Sequence, residues 1–397
     1  MKKVVVVALS GGVDSSVSAL ILKKSGYNVI GLFMNNWDDK NYNCSLRLTS
    51  DSIDAMVVAN KLNIPFQIIE MKKEYNKYII NYMFNEYKIG NTPNPDILCN
   101  KIIKFNLFLK IAIRNFNADF IATGHYVKKV TITKKKKKIH KIFIGKDLNK
   151  DQSYFLCQLN QTQLQKSLFP LGMLTKKKVR KIAEQNGLYN AYKKDSQGLC
   201  FVGKITLSKF LHTRINPKKG KIINIKSNSK ILYDKKYKNH YSKEELILLS
   251  KKIKYKESDG KIIGYHQGAY LFTIGQRKGI SIGGFKNPIF VIDTDIKKNI
   301  VYTGMGKNHP GLYRKCLFIK EKNIHWIHKN ILLTEEKKMN VLSRIRYRQP
   351  LQKSFLYKIK TGILIIFENM QYAISGGQFA VWYNFHNELI GSGIISE

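Results

Sequence analysis

The sequence predicts an α/β protein with an N-terminal doubly wound parallel sheet, a small central domain and a C-terminal β-barrel. Three observations carry this expectation. The first third alternates short β-branched runs with helical periodicity; from about Lys204 the alternation stops and glycine becomes more frequent; beyond Val301 short alternating runs recur. A length of 397 residues allows two or three domains, and a 44% hydrophobic share is enough to bury real cores.

Val4 to Leu9 reads as a buried strand. Ser15 to Lys24 sets Val17, Leu20 and Ile21 at helical spacing and stops at Ser25-Gly26, and Val29 to Met34 is the second strand. Asp51 to Leu62 is helical, Phe66 to Ile69 a strand, and Asp119 to Thr123 a further strand after a long helical stretch around Phe105 to Arg114. Such repeated units give a parallel sheet whose ligand lies at the carboxyl ends of the strands, so the chemistry belongs in the loops after Leu9, Met34 and Thr123. The lysines from Lys134 to Lys138 read as a solvated hairpin tip, with a specific RNA contact as the alternative. The expected domains are 1–205, a central unit 206–300 and a barrel 301–397. Within the central unit, 226–259 reads as an inserted polar segment in which Lys243 to Lys252 has a helical pattern. The barrel rests on the runs Ser354 to Ile359, Gly362 to Phe367 and Gln371 to Tyr383.

Sixty-nine Lys and Arg against 27 Asp and Glu leave a formal net charge of +42. Such a surface displaces counterions from phosphate and suits a nucleic acid partner. Lysine, asparagine and isoleucine are abundant throughout, however, and an AT-rich coding sequence would produce the same excess. The apolar residues and aromatics exclude a wholly disordered chain. No run is long and apolar enough for a membrane span, and the first residues lack a secretory pattern, so a cytoplasmic protein is expected. The cysteines Cys44, Cys99, Cys157, Cys200 and Cys316 form no C-x-x-C pair, which indicates neither a zinc knuckle nor a secreted disulfide framework.

Between the first strand and first helix stands Ser10-Gly11-Gly12-Val13-Asp14-Ser15-Ser16. Its glycines permit a tight turn with exposed N–H groups, and the helix N-terminus adds positive potential, so phosphate is favoured there. No Gly-Lys-[Ser/Thr] follows, so this is not a Walker A loop. Binding through backbone and hydroxyls, with Asp14 placed to hold Mg²⁺, suits cleavage between the α- and β-phosphates of ATP.

Here the sequence resembles the pyrophosphate-loop ATPases, with signature S-G-G-x-D-S, and among them the tRNA-specific 2-thiouridylases. The resemblance continues through Asn94-Pro95-Asp96-Ile97-Leu98-Cys99-Asn100, Ala122-Thr123-Gly124-His125-Tyr126, Lys150-Asp151-Gln152-Ser153-Tyr154 and Asp195-Ser196-Gln197-Gly198-Leu199-Cys200-Phe201. It ends with Tyr270 to Gly284, around Ile274-Gly275-Gln276-Arg277-Lys278-Gly279, and Arg346-Tyr347-Arg348-Gln349. It implies ATP-dependent thiolation at C2 of the wobble uridine in tRNA, with AMP transferred to the uracil oxygen so that a poor leaving group becomes a good one. By motif, Cys200 would receive a persulfide from a sulfur carrier or cysteine desulfurase, and Cys99 would assist release of that sulfur or bond the substrate; the two would approach closely enough to form a disulfide. The nucleotide would lie against Ala8, Leu9, Ser10, Gly11, Gly12, Val13, Asp14, Ser15, Met34 and Gly124. The tRNA anticodon loop and its extruded base would meet Asn94, Pro95, Asp96, Lys150, Asp151, Gln152, Arg346 and Tyr347.

The residue types suit these roles. A helix opening at Cys99 would depress its thiol pKa, and Asp96, three residues earlier, could act as general acid or base. Cys200 between Gly198 and Gly203 fits an exposed loop that carries sulfur inward. His125 reads equally as a ligand or as a hydrogen-bonded structural histidine. The competing readings are another pyrophosphate-loop enzyme, such as a GMP, tRNA-lysidine or 4-thiouridine synthetase, and a non-catalytic basic RNA-binding protein; the paired cysteines and the Gly-Gln-Arg-Lys-Gly stretch do not suit amidotransferase or lysidine chemistry, and intact Asp14, Cys99 and Cys200 argue against the non-catalytic reading.

Overall fold

A computed structural model describes residues 2–36, 49–194, 207–232, 241–328 and 333–397. The expected sulfur-bearing Cys200 and its motif from Asp195, like Cys44, lie outside the described residues.

The N-terminal sheet is parallel, in the order β3-β2-β1-β4-β7, formed by β1 (Val4–Ala8), β2 (Asn28–Asn35), β3 (Phe66–Glu70), β4 (Phe120–Ala122) and β7 (Ser167–Leu168). β1 shows how the sequence dictates this. Its side chains alternate between faces: Val5 and Val7 enter one hydrophobic cluster and Val6 and Ala8 another, so helices must cover both sides. Helices α1 (Val13–Lys24) and α2 (Ser50–Lys61) contribute Val17, Leu20, Ala55 and Val58 to the first cluster. The second is filled largely by two longer helices, residues 72–88 and 95–116. The latter starts where Asn94 caps it, its side chain accepting from the Ile97 N–H at 3.3 Å, with Pro95 in the first turn; it stops at Asn117, in left-handed conformation at φ 48°.

β5 (Val127–Lys134) and β6 (Lys137–Ile144) form the expected hairpin, and Lys135 and Lys136 occupy its turn at φ 47° and 62°. β6 leaves the N-terminal unit and pairs with the last strand of the C-terminal sheet. The central sheet has the order β10-β11-β8-β9, made of β8 (Gly220–Ile225), β9 (Gly260–His266), β10 (Ile289–Asp295) and β11 (Ile300–Met305). The expected break between 300 and 301 therefore falls inside β11, whose pairing with β10 and β8 holds 301–305 in the central sheet. The helical pattern in the polar segment forms Lys243–Ser250, closed by a reciprocal cap between Ser242 and Glu245. Its Leu246 and Leu249 pack onto Cys316, Leu364 and Ile366 of the C-terminal sheet.

That last sheet runs β12-β16-β15-β14-β17-β18, from β12 (Tyr313–Lys320), β14 (Lys338–Arg344), β15 (Gln352–Ile359), β16 (Gly362–Tyr372), β17 (Phe379–Tyr383) and β18 (Glu388–Ile394), with β13 (Ile324–Trp326) on β18. The Ser396 N–H donates to the Phe318 carbonyl at 2.9 Å and returns the chain end to β12, closing a barrel around buried Trp382, Leu356 and Ile365. No helix among the described residues is long and apolar enough to cross a membrane.

Candidate nucleotide and thiol site

In this strand order the direction of winding reverses at β1 and β4, and the loops that follow these two strands enclose the crevice where α/β sheets take ligands. The loop after β1 contains Ser10 to Gly12. Gly11 stands at φ 71°, and a Cβ there would lie 2.3 Å from the Asp51 carbonyl of α2, so both conformation and space require glycine. Gly12 is the N-cap of α1 and makes no side-chain cap. The hydroxyls fold inward instead: Ser15 Oγ and Ser16 Oγ each donate to the Gly12 carbonyl at 3.0 Å, and Ser15 Oγ accepts from the Ser10 N–H at 3.1 Å. After β4, a Cβ on Gly124 would meet the Asp14 and Ser15 backbone at 2.9 Å, so the two loops touch through main chain. Met34, the penultimate residue of β2, is buried in the same cluster as Ala8.

Asp14, half-exposed in the first turn of α1, is held from two sides. Tyr126 donates its hydroxyl to Oδ1 at 2.6 Å, and Lys176 Nζ lies 2.7 Å and 2.8 Å from the two carboxylate oxygens. Lys176 was not among the residues expected at the site, because it lies 162 positions away in the chain. A signal was present nonetheless. Lys176, Lys177 and Lys178 open a helix, Lys176–Gln185, whose N-terminal dipole disfavours cations, so a run of three lysines there is a weak pointer to an anionic partner. The lysine that the loop lacks in sequence is thus supplied in space.

Among the described residues no group of three or more His, Cys, Asp or Glu side chains gathers to hold a metal. Asp14 offers one hard carboxylate, which suits Mg²⁺ as an ion carried largely by phosphate and water oxygens, provided Lys176 yields one of the two oxygens it faces.

Cys99 lies five residues beyond its N-cap, inside a continuous helix that takes π geometry over Cys99–Phe108. It is buried in the cluster that holds Ala8 and Met34. The expected depression of its pKa by a helix N-terminus therefore fails: burial pushes the thiol up to about 11, with Lys104 lowering it and Asp96 raising it further. A raised thiol pKa means less thiolate at any given pH. Alkylation of Cys99 in the free enzyme should accordingly be far slower than that of a free thiol at pH 8 and should rise about tenfold per pH unit toward pH 11. A labelling midpoint near pH 8, read by peptide mass spectrometry, would contradict this burial.

The residues expected at the tRNA divide on inspection. Pro95 is buried, and Asp96 is partly exposed one turn before Cys99. Lys150 is half-buried. Asp151 is 4% exposed and fully engaged within the protein: Oδ1 accepts from the Gly145 and Ser153 N–H groups at 3.0 and 3.1 Å, and Oδ2 from Ser153 Oγ at 2.9 Å and Arg344 Nη2 at 2.6 Å. It joins the N-terminal unit to the barrel and offers no face to RNA. Gln152 Oε1 accepts from the Tyr126 N–H at 3.0 Å, so it supports the tyrosine that holds Asp14. The Arg346 guanidinium donates to the Ala373 and Ile274 carbonyls at 2.8 and 3.1 Å, and Tyr347 packs on Phe155 at 4.4 Å between ring centres; both residues serve junctions between units. His125 takes the structural alternative. Its Nδ1 is 2.8 Å from Thr123 Oγ1, and burial holds its pKa well below the usual range, so the ring is neutral.

Comparison with known proteins agrees with this architecture. Residues 3–204 match the family described as the tRNA methyl transferase HUP domain, 243–305 its PRC-barrel domain and 315–395 an aminomethyltransferase beta-barrel domain. The chain is 51% identical over 396 residues to a tRNA-specific 2-thiouridylase MnmA of Flavobacterium johnsoniae, covering 99% of this chain and 100% of the relative. It is 55% identical over 395 residues to the protein of the same name from Karelsulcia muelleri, covering 100% and 99%. With that from Halalkalibacterium halodurans it shares 40% over 381 residues, covering 96% and 91%.

Proposed function

The chain belongs to the tRNA-specific 2-thiouridylase family and takes part in tRNA uridine thiolation, and on that premise we propose that it uses ATP to replace the C2 oxygen of the wobble uridine with sulfur. The observation that supports this most is the Ser10 to Ser16 loop at the reversal point of the parallel sheet, with Cys99 in the same cluster as Ala8 and Met34. A nucleotide on the loop and a base reaching Cys99 would then be neighbours.

Loop N–H groups at the start of α1 receive the phosphates, and the helix dipole favours their charge. The uracil C2 oxygen attacks the α-phosphorus and pyrophosphate leaves. Lys176, already at Asp14, is placed to neutralise phosphate charge as it develops. Bound Mg²⁺ would supply further charge neutralisation on phosphate oxygens, with Asp14 as its protein ligand. The terminal sulfur of a Cys200 persulfide, loaded by a sulfur carrier or cysteine desulfurase, then adds to C2 and AMP departs with the original oxygen; the S–S bond to Cys200 is broken by the Cys99 thiolate, which leaves 2-thiouridine and a Cys99–Cys200 disulfide that an external thiol reductant opens before the next turnover. Cys99 thus acts at the delivery step, releasing that sulfur. Its thiol is protonated at neutral pH in this environment, so the step needs a base; Asp96, three residues earlier on the same helix face, fills that role. The Cys99–Cys200 disulfide requires Cys99 to leave its buried position. The anticodon loop of tRNA is the macromolecular partner, held through the basic surface that +42 provides.

Incubation of tRNA with the protein, ATP, Mg²⁺, a cysteine desulfurase with free cysteine as persulfide donor and a thiol reductant, followed by nucleoside mass spectrometry, tests the reading: 2-thiouridine derivatives should appear, with AMP and pyrophosphate as nucleotide products. Asp14→Ala should lose turnover at least about a hundredfold while remaining folded, because its side chain is half-exposed in the first turn of α1 rather than in the core. ADP and phosphate as products would refute the pyrophosphate-loop chemistry.

A further inference from the structure

We infer that Asn190 and Lys193 are positioning residues for the phosphates of the nucleotide: Asn190 sets the orientation of the peptide between Gly11 and Gly12, and Lys193 offsets two carboxylates of α2 that would otherwise repel the ligand. The inference rests on the proposed binding of ATP at the Ser10 to Ser16 loop. It assigns two residues that stand outside the loop motif and far from it in the chain.

The chain from 189 to 193 lies against the turn. Asn190 is 1% exposed, and its Nδ2 donates to the Gly11 carbonyl at 3.0 Å and to Ser16 Oγ at 2.9 Å. The peptide joining Gly11 to Gly12 is planar and trans, so a carbonyl held toward Asn190 directs the N–H of the same peptide the opposite way. That N–H belongs to the N-cap of α1, where loop donors receive phosphate in the proposed reaction. Two successive glycines would otherwise let the peptide turn over, and the Asn190 amide removes that freedom. Asn190 Oδ1, by contrast, is buried with no hydrogen-bond partner among the described residues, which lowers stability. What its Nδ2 holds accounts for a side chain kept in that position.

Lys193 acts on the same carbonyl and on the charge beside it. Its Nζ lies 2.7 Å from Asp51 Oδ1, also pairs with Asp54, and stands 3.5 Å from the Gly11 carbonyl. Both aspartates belong to the start of α2, onto which Gly11 is pressed: a Cβ on Gly11 would lie 3.0 Å from the Asp54 Cβ. Carboxylates this close to the turn repel a polyphosphate, and Asp14 adds a third. Lys176 pairs with Asp14, and Lys193 pairs with the two on α2. One helix, Lys176–Gln185, supports both cations. Lys176 is its first residue, and Arg180 donates to the Ala191 carbonyl at 2.7 Å and the Lys193 carbonyl at 3.0 Å, which fixes the backbone beneath Asn190 and Lys193.

The test is calorimetric binding to the full-length protein, with Mg²⁺ present, of adenosine and of an ATP analogue carrying a methylene between the α- and β-phosphates. Lys193→Met should weaken the analogue about tenfold and leave adenosine within about twofold, because only the phosphates feel the uncovered carboxylates. Added salt should shrink that loss. Lys193→Arg, which keeps the charge, should bind the analogue as the wild type does. Lys193→Met combined with Asp51→Asn and Asp54→Asn should regain most of the affinity, since the excess negative charge is gone. Asn190→Ala should weaken the analogue about fivefold and again spare adenosine. A merely structural role would weaken both ligands alike. Wild-type affinity for the analogue in either single variant overturns the role of that residue. Equal losses for both ligands, or a Lys193→Met defect that persists when the two aspartates are neutralised, overturn the inference as well. A wild-type protein that binds no analogue at all would instead overturn the ATP reading, and this inference with it.

Discussion

Cys200→Ser is expected to abolish tRNA thiolation, by at least about a thousandfold, while pyrophosphate release on adenylation of tRNA continues. A hydroxyl cannot hold transferable sulfur, but it leaves the Ser10 to Ser16 loop, Asp14 and Lys176 in place, so the first half of the reaction is spared. Cys99→Ser should separate from it. That variant should still acquire a persulfide at Cys200 yet fail to deliver it, since in the proposed mechanism Cys99 acts after loading, from the cluster it shares with Ala8 and Met34. Pyrophosphate release, persulfide labelling and nucleoside mass spectrometry together read all three steps. Thiolation by Cys200→Ser at the wild-type rate would end the persulfide mechanism.

The largest loss of stability should follow from breaking the ion pair between Asp151 and Arg344. The two side chains are 4% and 6% exposed, at 2.6 Å, and the network includes Ser153 and the Tyr383 hydroxyl, which accepts from Arg344 Nη2 at 2.6 Å. Asp151→Ala leaves a buried guanidinium without its counter-ion, at a cost of about 3–5 kcal/mol. The melting temperature should fall by roughly 4–6 °C, measured by calorimetry. Because the pair joins the N-terminal unit to β14 of the barrel, the variant should also lose cooperativity between them. The combined replacement Asp151→Leu with Arg344→Met should recover part of the loss, as no unpaired charge remains. An Asp151→Ala protein of unchanged melting temperature but weakened tRNA binding would return Asp151 to the RNA-contact role first expected of it.

Local chemistry explains most of what was legible in advance. The apolar run Val4–Ala8 and the glycine at 11 placed the parallel sheet and the tight turn after its first strand, because a buried strand and a left-handed backbone are set by neighbouring residues. The helical pattern in the polar segment became Lys243–Ser250 for the same reason, a cap three residues from its partner. Cys99 shows where local reading fails. Its spacing after Asn94 and Asp96 was apparent, but the helix begins at Pro95 rather than at the cysteine, and the surrounding core, not the dipole, governs the thiol. The winding of the N-terminal sheet, the glycine turn from Ser10 to Ser16 and the family resemblance were legible in the sequence, because all of them depend on residues within a few positions of one another. Only the tertiary structure decided that Lys176 neutralises Asp14, that Asp151 faces Arg344 rather than RNA, and that Asn190 and Lys193 hold the loop. Each of these is a charge or hydrogen bond closed across more than 130 residues, and such a partner is fixed by how the units pack, which no local pattern encodes.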